Sequence, residues 1–297
     1  LRRAEFGPVL NWLETLREPN YDLTIDLQGL FRSGVMSYAT GAPRRFGFAN
    51  ARELGWLGYT QRIRTNPASS HIDQNFELLS AIGIAPVRDL RLYPDPADQA
   101  AIAADPRLCS RFVLISPATR GAGRAWPIER FASVAEQLLQ RLHSLSLEAI
   151  VVIGLPAEAE YCRPITRLAE SDARLINLVG QTSISRLMAV LERSALVVCN
   201  DSAAMHMAVA FDRPLIALLG PTNMTYAGPY GRATDVISHA APGEQVRHRD
   251  VPKAIEFMRR ITTEEVLAAC IARLDNNDTA TQRHSETGEN GKADSAS

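Results

Sequence analysis

The chain has 297 residues and a mass of 32.6 kDa, a size that predicts about two domains. Hydrophobic residues make up 46% and charged residues 22%, so the composition excludes a disordered or a fibrous protein. The formal net charge of −1 lacks the basic excess that attracts duplex nucleic acid, and no nucleic-acid partner is expected.

The N-terminal part contains few strands, and they are short. The spacing of apolar residues predicts strands at 21–26, 45–48 and 60–64 and helices at 30–39 and 72–82. A Pro-rich run from Leu92, followed by small residues up to Ala104, is typical of a connection between domains. Because a βαβ unit takes roughly 30 residues and no methionine precedes Leu1, we expect that an N-terminal strand–loop–helix has been cut away.

After this connection, apolar strands alternate regularly with helices. The predicted strands are 112–116, 149–153, 175–179, 196–199 and 214–219, and the predicted helices are 128–142, one beginning near Pro156, 183–193 and 202–211. Such alternation predicts βαβ units and a parallel sheet with helices on both faces. We therefore predict an α/β fold, in which a Rossmann-like doubly wound domain at 109–275 follows an incomplete N-terminal domain at 1–108.

The remaining features are consistent with a cytoplasmic protein. Residues 276–297 hold almost no large apolar side chains, so a disordered tail is predicted there. The four cysteines have no short spacing, which indicates neither a zinc site nor a disulfide framework. The longest apolar runs are strand-length, far short of the roughly 20 residues that cross a bilayer.

Ligands bind beyond the C-terminal ends of the strands in an open parallel sheet, and four predicted loops at that edge carry unusual residues. The most informative is Asn-Asp-Ser-Ala-Ala-Met-His (200–206), where Asp201 or Ser202 is expected to cap a helix whose free N–H groups form an anion site. His206 falls one turn into that helix. The alternative is a plain N-cap followed by a packed histidine, but the small residues from Ala203 onward allow a ligand to approach the backbone.

The other three loops give weaker signals. Residues 117–127 combine Gly121 and Gly123 with two arginines that suit a phosphate, although many glycine-rich loops only connect elements. Glu158, just beyond a strand, is either an acceptor for ribose hydroxyls or an ordinary first-turn glutamate favoured by the helix dipole. The turn at 220–222 either closes over a ligand or is only a turn.

Arginine is concentrated in the N-terminal part. All but two of the 32 basic residues are arginines, and residues 32–64 hold six of them against the single acid Glu53, a segment charge of +5. This segment is either a solvated surface in an arginine-rich protein or an anion-binding face suited to a phosphorylated or carboxylated acceptor. No Asp-x-Asp pair occurs, so neither a metal held by such a pair nor another cofactor is expected.

Taken together, the motifs of both parts resemble one family. They are Asp-Leu-Gln-Gly-Leu (26–30), Arg-Phe-Gly-Phe (45–48), Arg-Ala-Trp-Pro (124–127), Gly-Leu-Pro-Ala-Glu (154–158), Asp-Ser-x-x-Met-His (201–206) and Leu-Gly-Pro-Thr (219–222). In this order and spacing, from Tyr21 to Leu267, the chain resembles the ADP-heptose:lipopolysaccharide heptosyltransferases, which are family 9 glycosyltransferases of the GT-B fold. The stretch 49–53 and the region of His71 look most similar to the heptosyltransferase I branch.

The resemblance implies two Rossmann-like domains facing a cleft and an inverting, metal-independent transfer of heptose from ADP-heptose to the Kdo/heptose inner core of lipopolysaccharide. The donor-side positions that match the family are Thr119 and Arg124 at the diphosphate, Glu158 at the ribose, Ser202 and Ala203 at the phosphates, and Asp201 and His206 at the donor sugar. Arg52 and His71 match acceptor-side positions. The implied acceptor is an anionic, lipid-linked saccharide of the Kdo-lipid A type, so peripheral contact with the inner face of the inner membrane is expected.

Three departures from the family pattern bear on activity. Ala203 stands where the family has a glycine, and Arg124 replaces a lysine, which keeps the charge but changes the reach. The Gly-Asp segment that supplies the family's general base precedes Leu1, so the catalytic base of this chain is unknown. Asp26 is the nearest other carboxylate, and its place at a strand end predicts a structural role.

Two other functions are compatible with the sequence. One is a non-catalytic nucleotide-binding module that kept the fold and lost the base. The other is a GT-B-like nucleotide-sugar 2-epimerase, which leaves the acceptor-side arginines and the Asp-Ser-x-x-Met-His spacing without a role.

Overall fold

The computed structural model of the chain describes residues 7–241, 244 and 250–275. It divides into two compact units, Leu1–Asp89 and Leu90–Ser297, and each is built around its own parallel sheet. The stretch from 90 to 108 groups with the second unit. The tail predicted at 276–297 lies outside the described residues.

The first unit is a small parallel sheet with helices between its strands. Its elements are α1 (Gly7–Thr15), β1 (Leu23–Asp26), α2 (Phe31–Ala39), β2 (Arg44–Phe48), a 3₁₀ turn (Gly55–Gly58), β3 (Gln61–Ile63) and α3 (His71–Ala81). The strand order is β1-β2-β3, with Asp26 paired to Gly47 and Phe48 paired to Ile63. The strands and helices predicted for this part are confirmed, with ends shifted by one or two residues, whereas α1 has no counterpart in the prediction.

Three glycines hold α2 against the 3₁₀ turn. A Cβ on Gly34 would overlap the carbonyl oxygen of Gly55, and a Cβ on Gly58 would overlap the carbonyl oxygen of Gly34. A Cβ on Gly55 would lie 2.6 Å from the Leu30 carbonyl oxygen. Because no side chain separates them, the two elements are in backbone contact and present one continuous outer surface.

Asp26 closes the turn that follows β1. Its buried carboxylate accepts hydrogen bonds from the N–H groups of Gln28 and Gly29 through Oδ1, at 2.8 and 3.1 Å, and from the Tyr59 hydroxyl through Oδ2, at 2.6 Å. Burial raises the pKa of the Tyr59 phenol well above its ordinary value, and the hydrogen bond to Asp26 and the negative charge of Asp26 add to this shift. All of these partners belong to the first unit's own fold, which agrees with the structural role predicted for Asp26.

The second unit is a doubly wound domain. Its elements are α4 (Pro96–Ala104), β4 (Phe112–Ser116), α5 (Ile128–Leu139), β5 (Ala149–Val152), α6 (Ala159–Thr166), β6 (Leu175–Asn177), α7 (Ile184–Arg193), β7 (Leu196–Asn200), α8 (Ala203–Ala210), β8 (Leu215–Leu218), α9 (Met224–Ala227), β9 (Val236–Ile237), α10 (Val251–Arg260) and α11 (263–275). The sheet has the order β6-β5-β4-β7-β8-β9, and every neighbouring pair is parallel. The predicted α/β class is confirmed.

Alternating side chains of each central strand enter two different cores. In β4, Val113 and Ile115 pack into the core under α5 and α6, whereas Phe112 and Leu114 pack into the core under α4, α7 and α8. All five residues of β4 are buried. Because burying one such side chain stabilises the fold by about 1.5–3 kcal/mol, this continuous apolar run explains why the sequence pattern marked the strands of the second unit so clearly.

Helix α4 corrects the prediction of an irregular connection after Leu92. The Asp95 carboxylate accepts from the Ala97 N–H at 2.8 Å, and Pro96 occupies the first turn, where its missing N–H has no cost. Ile102 is fully buried in the second unit's core. A proline that reads as a helix breaker therefore starts a helix here.

The four cysteines differ in burial. Cys162, Cys199 and Cys270 are buried, Cys109 is exposed, and all four are free thiols. Burial raises the pKa of the Cys162 thiol to about 11 and that of Cys270 to about 12. None of the helices formed by the described residues combines the length and the apolar character needed to span a membrane.

Candidate functional site

The strand order of the second unit reverses between β4 and β7. From β4 the sheet runs outward through β5 to β6, and from β7 it runs the other way through β8 to β9. Ser116 at the end of β4 pairs with Cys199 near the end of β7, so the loops that follow these strands diverge from one point. In open α/β sheets such a reversal leaves a crevice at the carboxyl ends of the strands, where ligands bind.

Asn200 ties the two diverging loops together. Its fully buried amide donates from Nδ2 to the Pro117 carbonyl at 2.6 Å and accepts at Oδ1 from the Trp126 N–H at 3.1 Å. The two partners are the ends of the glycine-rich loop 117–126. Because one partner is an acceptor and the other a donor, the orientation of the amide is fixed by its neighbours.

Asp201 connects its own loop to the loops that follow β4 and β8. Its Oδ2 accepts from the Thr222 hydroxyl at 3.0 Å and forms an ion pair with Arg124 Nη1 at 3.3 Å, while its backbone carbonyl accepts from the Thr119 hydroxyl at 2.5 Å. The Asp201 side chain is 10% exposed and that of Arg124 is 42% exposed. Arg124 also donates from Nη2 to the Arg120 carbonyl, so the guanidinium is held in place while much of it stays open to an anion.

The predicted N-cap position is confirmed at Ser202, whereas the predicted side-chain capping of α8 is wrong. Ser202 is the N-cap residue, but its side chain makes no capping hydrogen bond, and the Asp201 carboxylate is directed to Arg124 and Thr222 instead. The Ser202 hydroxyl is shielded from solvent beside the Cys199 thiol. The first N–H groups of α8, beginning with the exposed Ala203, therefore have no side-chain cap and keep the positive end of the helix dipole for an anionic ligand.

His206 lies one turn into α8, on the same helix end. Desolvation by the surrounding protein lowers the pKa of the imidazole, and the negative charge of Asp201 opposes that shift. The net direction is downward, so the neutral form of the ring, which offers one donor and one acceptor, is favoured. Together with Asp201, His206 gives this end of α8 a polar pair beside the uncapped N–H groups.

Glu158 follows β5, the strand next to β4. Its Oε2 accepts from the Leu155 N–H at 2.7 Å and closes the 3₁₀ turn Pro156–Glu158. This is the first-turn arrangement that the sequence offered as the alternative to ribose binding. The contact of Glu158 with a ribose remains a prediction.

The two acceptor-side residues belong to the first unit. Arg52 donates its N–H to the Gly29 carbonyl at 2.8 Å, and its side chain is exposed. His71 begins α3, and its ring lies 6.4 Å from the ring of Phe48, the last residue of β2. Both residues therefore lie at the carboxyl ends of the first unit's strands, although their binding to an acceptor remains a prediction.

Two contacts of the second unit were missed at the sequence level. The buried amide of Asn200 and the hydroxyl of Thr222 carry the loop connections, and neither residue was assigned a role from the pattern alone. A polar amide at the end of an apolar strand was the available signal for Asn200. Within the described residues, no group of three or more His, Cys, Asp or Glu side chains is arranged to hold a metal ion.

Comparison with known proteins identifies similar chains. Residues 9–254 match the family described as glycosyltransferase family 9 (heptosyltransferase). The lipopolysaccharide core heptosyltransferase OpsX of Haemophilus influenzae is 28% identical over 80% of this chain and 68% of its own length. Lipopolysaccharide heptosyltransferase 2 of Escherichia coli is 25% identical over 88% of this chain and 77% of its own length.

Solved structures share the fold. The structure of Escherichia coli ADP-heptose lps heptosyltransferase II superimposes with a TM-score of 0.72 at 21% identity and covers 92% of this chain and 82% of that chain. Escherichia coli heptosyltransferase WaaC with ADP has a TM-score of 0.60 at 24% identity, over 86% of this chain and 78% of its own. These likenesses confirm the fold class of the GT-B heptosyltransferases.

The predicted similarity to the heptosyltransferase I branch is not upheld. Lipopolysaccharide heptosyltransferase 1 of Escherichia coli is 28% identical over 74% of this chain and 67% of its own length, a shorter match than that of heptosyltransferase 2. Short motifs such as residues 49–53 fix the family better than they separate its branches.

Proposed function

The chain belongs to glycosyltransferase family 9, and we propose that it transfers a heptose from ADP-heptose to the Kdo/heptose inner core of lipopolysaccharide, with inversion and without an essential metal. The observation that carries this proposal is that the loops after β4 and β8 both contact Asp201, in the loop after β7, beside the uncapped end of α8. A nucleoside diphosphate needs fixed positive charge and free N–H donors, and this crevice provides both.

Each part of the donor would contact different residues of the crevice. We place its diphosphate against the first N–H groups of α8, around Ala203, with Arg124 and Thr119 on the opposite side. Glu158 would accept from the ribose, and Asp201 and His206 would contact the heptose. Support comes from the position of all these residues at the carboxyl ends of β4, β5 and β7.

The acceptor would bind at the carboxyl ends of the first unit's strands. Arg52 and His71 lie there, and Arg52 belongs to the segment 32–64, which holds six arginines and one acidic residue. Kdo carboxylates and lipid phosphates are planar or tetrahedral anions that guanidinium groups bind through paired hydrogen bonds. We place the enzyme in the cytoplasm, at the inner face of the inner membrane, because its acceptor is a lipid.

An inverting displacement needs a base to take the proton of the acceptor hydroxyl. Asp26 is unsuited to this task because both of its oxygens accept hydrogen bonds from the first unit's own backbone and from Tyr59. We therefore do not assign the base to Asp26.

Calorimetric titration with ADP tests the donor site. We expect saturable binding, and we expect Arg124→Ala to weaken it about 10–100-fold, since a charge-assisted hydrogen bond contributes about 1.5–3 kcal/mol. Arg163→Ala is the matched control, because this exposed arginine forms an ion pair with Glu160 on the surface of α6. A folded sample that binds no ADP, or an Arg124 variant that binds like the control, would refute the assignment.

A further inference from the structure

The outer surface of α2 exposes apolar side chains that the proposed transfer does not use. Phe31, Val35 and Tyr38 recur at the spacing i, i+4 and i+7 and therefore share one face of the helix. Phe31 is 53% and Tyr38 60% exposed. On the 3₁₀ turn beside them, Leu54 and Leu57 are 56% and 59% exposed.

These two sets of side chains lie on adjoining elements. The glycine contacts described above bring α2 and the 3₁₀ turn into backbone contact, with Gly55 against Leu30 and Gly58 against Gly34. We call the residues Phe31, Val35, Tyr38, Leu54 and Leu57 the α2 surface. Large apolar side chains exposed together on a small domain are typical of a contact site.

Arginines lie on α2 itself and on the neighbouring strands β2 and β3. Arg32 and Arg44 are exposed, Arg45 stacks over the Tyr38 ring at 5.5 Å, and Arg62 stacks over the Trp56 ring at 4.0 Å. From 32 to 64 the one acidic residue is Glu53. Aromatic rings paired with cations next to aliphatic side chains suit the boundary between lipid headgroups and acyl chains.

We propose that the α2 surface docks the chain onto an anionic lipid membrane, with its apolar residues at the acyl boundary and its arginines at the phosphates. A second copy of the chain is disfavoured as the occupant, because two such surfaces would bring like charges together. Phe31 and Leu54 end the patch near the carboxyl ends of β1 and β2, where Arg52 and His71 lie. The inference rests on the proposed function in one respect: a lipid-linked acceptor would then reach that edge directly from the membrane.

Vesicle flotation tests the docking surface. We expect the chain to bind vesicles that contain both phosphatidylglycerol and phosphatidylcholine, and not to bind vesicles of phosphatidylcholine alone. Rising salt concentration should release the chain from the anionic vesicles. Phe31→Ser combined with Leu57→Ser should weaken binding about tenfold or more, since two apolar anchors are lost. Arg32→Gln and Arg44→Gln should each weaken it about fivefold, the effect of one basic residue at an anionic surface.

Val87→Ser combined with Ile184→Ser is the matched control, because these side chains are 78% and 73% exposed and lie outside the α2 surface. Circular dichroism and thermal unfolding of every variant check the fold, and ADP titration checks the donor site separately, since that site belongs to the second unit. The proposal is overturned if the wild type does not distinguish the two vesicle types, or if the patch variants bind like the control. It is also overturned if the chain is a dimer in solution that the patch variants dissociate.

Discussion

Replacing Asn200 by alanine tests whether one buried amide holds the donor crevice together. The change removes two hydrogen bonds, of 2.6 Å to the Pro117 carbonyl and 3.1 Å from the Trp126 N–H. Both partners are buried, so each loses a bond that water cannot replace. At about 1–3 kcal/mol for each of the two unsatisfied groups, the expected loss is about 2–6 kcal/mol.

Such a loss is large against the usual 5–15 kcal/mol of a folded domain. At about 2–4 °C for each kcal/mol in a unit of this size, Asn200→Ala should lower Tm by about 4–24 °C. ADP affinity should fall as well at temperatures where the variant is still folded, because the loop between the two partners carries Thr119 and Arg124. Asn200→Asp keeps the acceptor for Trp126 but sets a carboxylate oxygen against the Pro117 carbonyl, so it should not restore the wild type.

Asn177→Ala is the matched control for this experiment. Asn177 also ends a strand, β6, but within the described residues its side-chain oxygen accepts one hydrogen bond, from the Val179 N–H at 3.0 Å, and the residue lies away from the point where the strand order reverses. We expect a smaller loss of Tm and an unchanged ADP affinity. If thermal unfolding shows equal losses for the two variants, and calorimetry shows equal affinities, the role given to Asn200 is wrong.

Three further predictions concern the second unit. Asp201→Ala should weaken ADP-heptose binding more than ADP binding in calorimetry, since its role is assigned to the sugar; an equal effect on both ligands would contradict that role. Gly123→Ala should destabilise the unit by about 1–3 kcal/mol in urea unfolding, because the new Cβ would lie 2.6 Å from the Ala254 Cβ. Ala122→Ser, in the same exposed turn, is the control and should leave the free energy of unfolding unchanged. Folding lowers the pKa of His206, so the unfolded chain binds the proton first as pH falls below about 6.5, and the stability of the fold decreases there. We therefore expect His206→Gln to show a smaller drop in Tm than the wild type between pH about 7.5 and about 5. An equal drop in the two proteins would disprove the shift.

The elements of the second unit followed from the sequence because its strands are buried on both faces. A run such as Phe112–Ser116 has no polar alternation to confuse it with a half-exposed strand. The order of the strands had no such signal, since it depends on which faces meet after the helices have packed. The same limit explains α4, where Asp95 and Pro96 start a helix whose stability comes from burying Ile102 in a distant core.

The candidate site shows how long-range partners override local rules. A residue of the Asp-Ser type before a helix ordinarily caps it, and that rule predicted the wrong partners for Asp201. Arg124 and Thr222, 77 and 21 positions away in the sequence, compete successfully for its carboxylate. The loop positions followed from the predicted strand ends, and the family resemblance gave their expected roles, whereas their hydrogen bonds required the folded loops.

The buried Trp126 is an intrinsic fluorescent probe beside the donor crevice. The chain has three tryptophans, and Trp126 is the one in the second unit. Its indole is fully buried, donates to the Ile261 carbonyl at 3.0 Å and meets the Phe131 ring edge-on at 4.9 Å, whereas Trp12 is 46% exposed. With phenylalanine in place of Trp12 and Trp56, the remaining fluorophore would sit two residues from Arg124, at the end of the loop that Asn200 holds. Its emission colour and lifetime would then report on the nucleotide-binding half of the molecule without any added label.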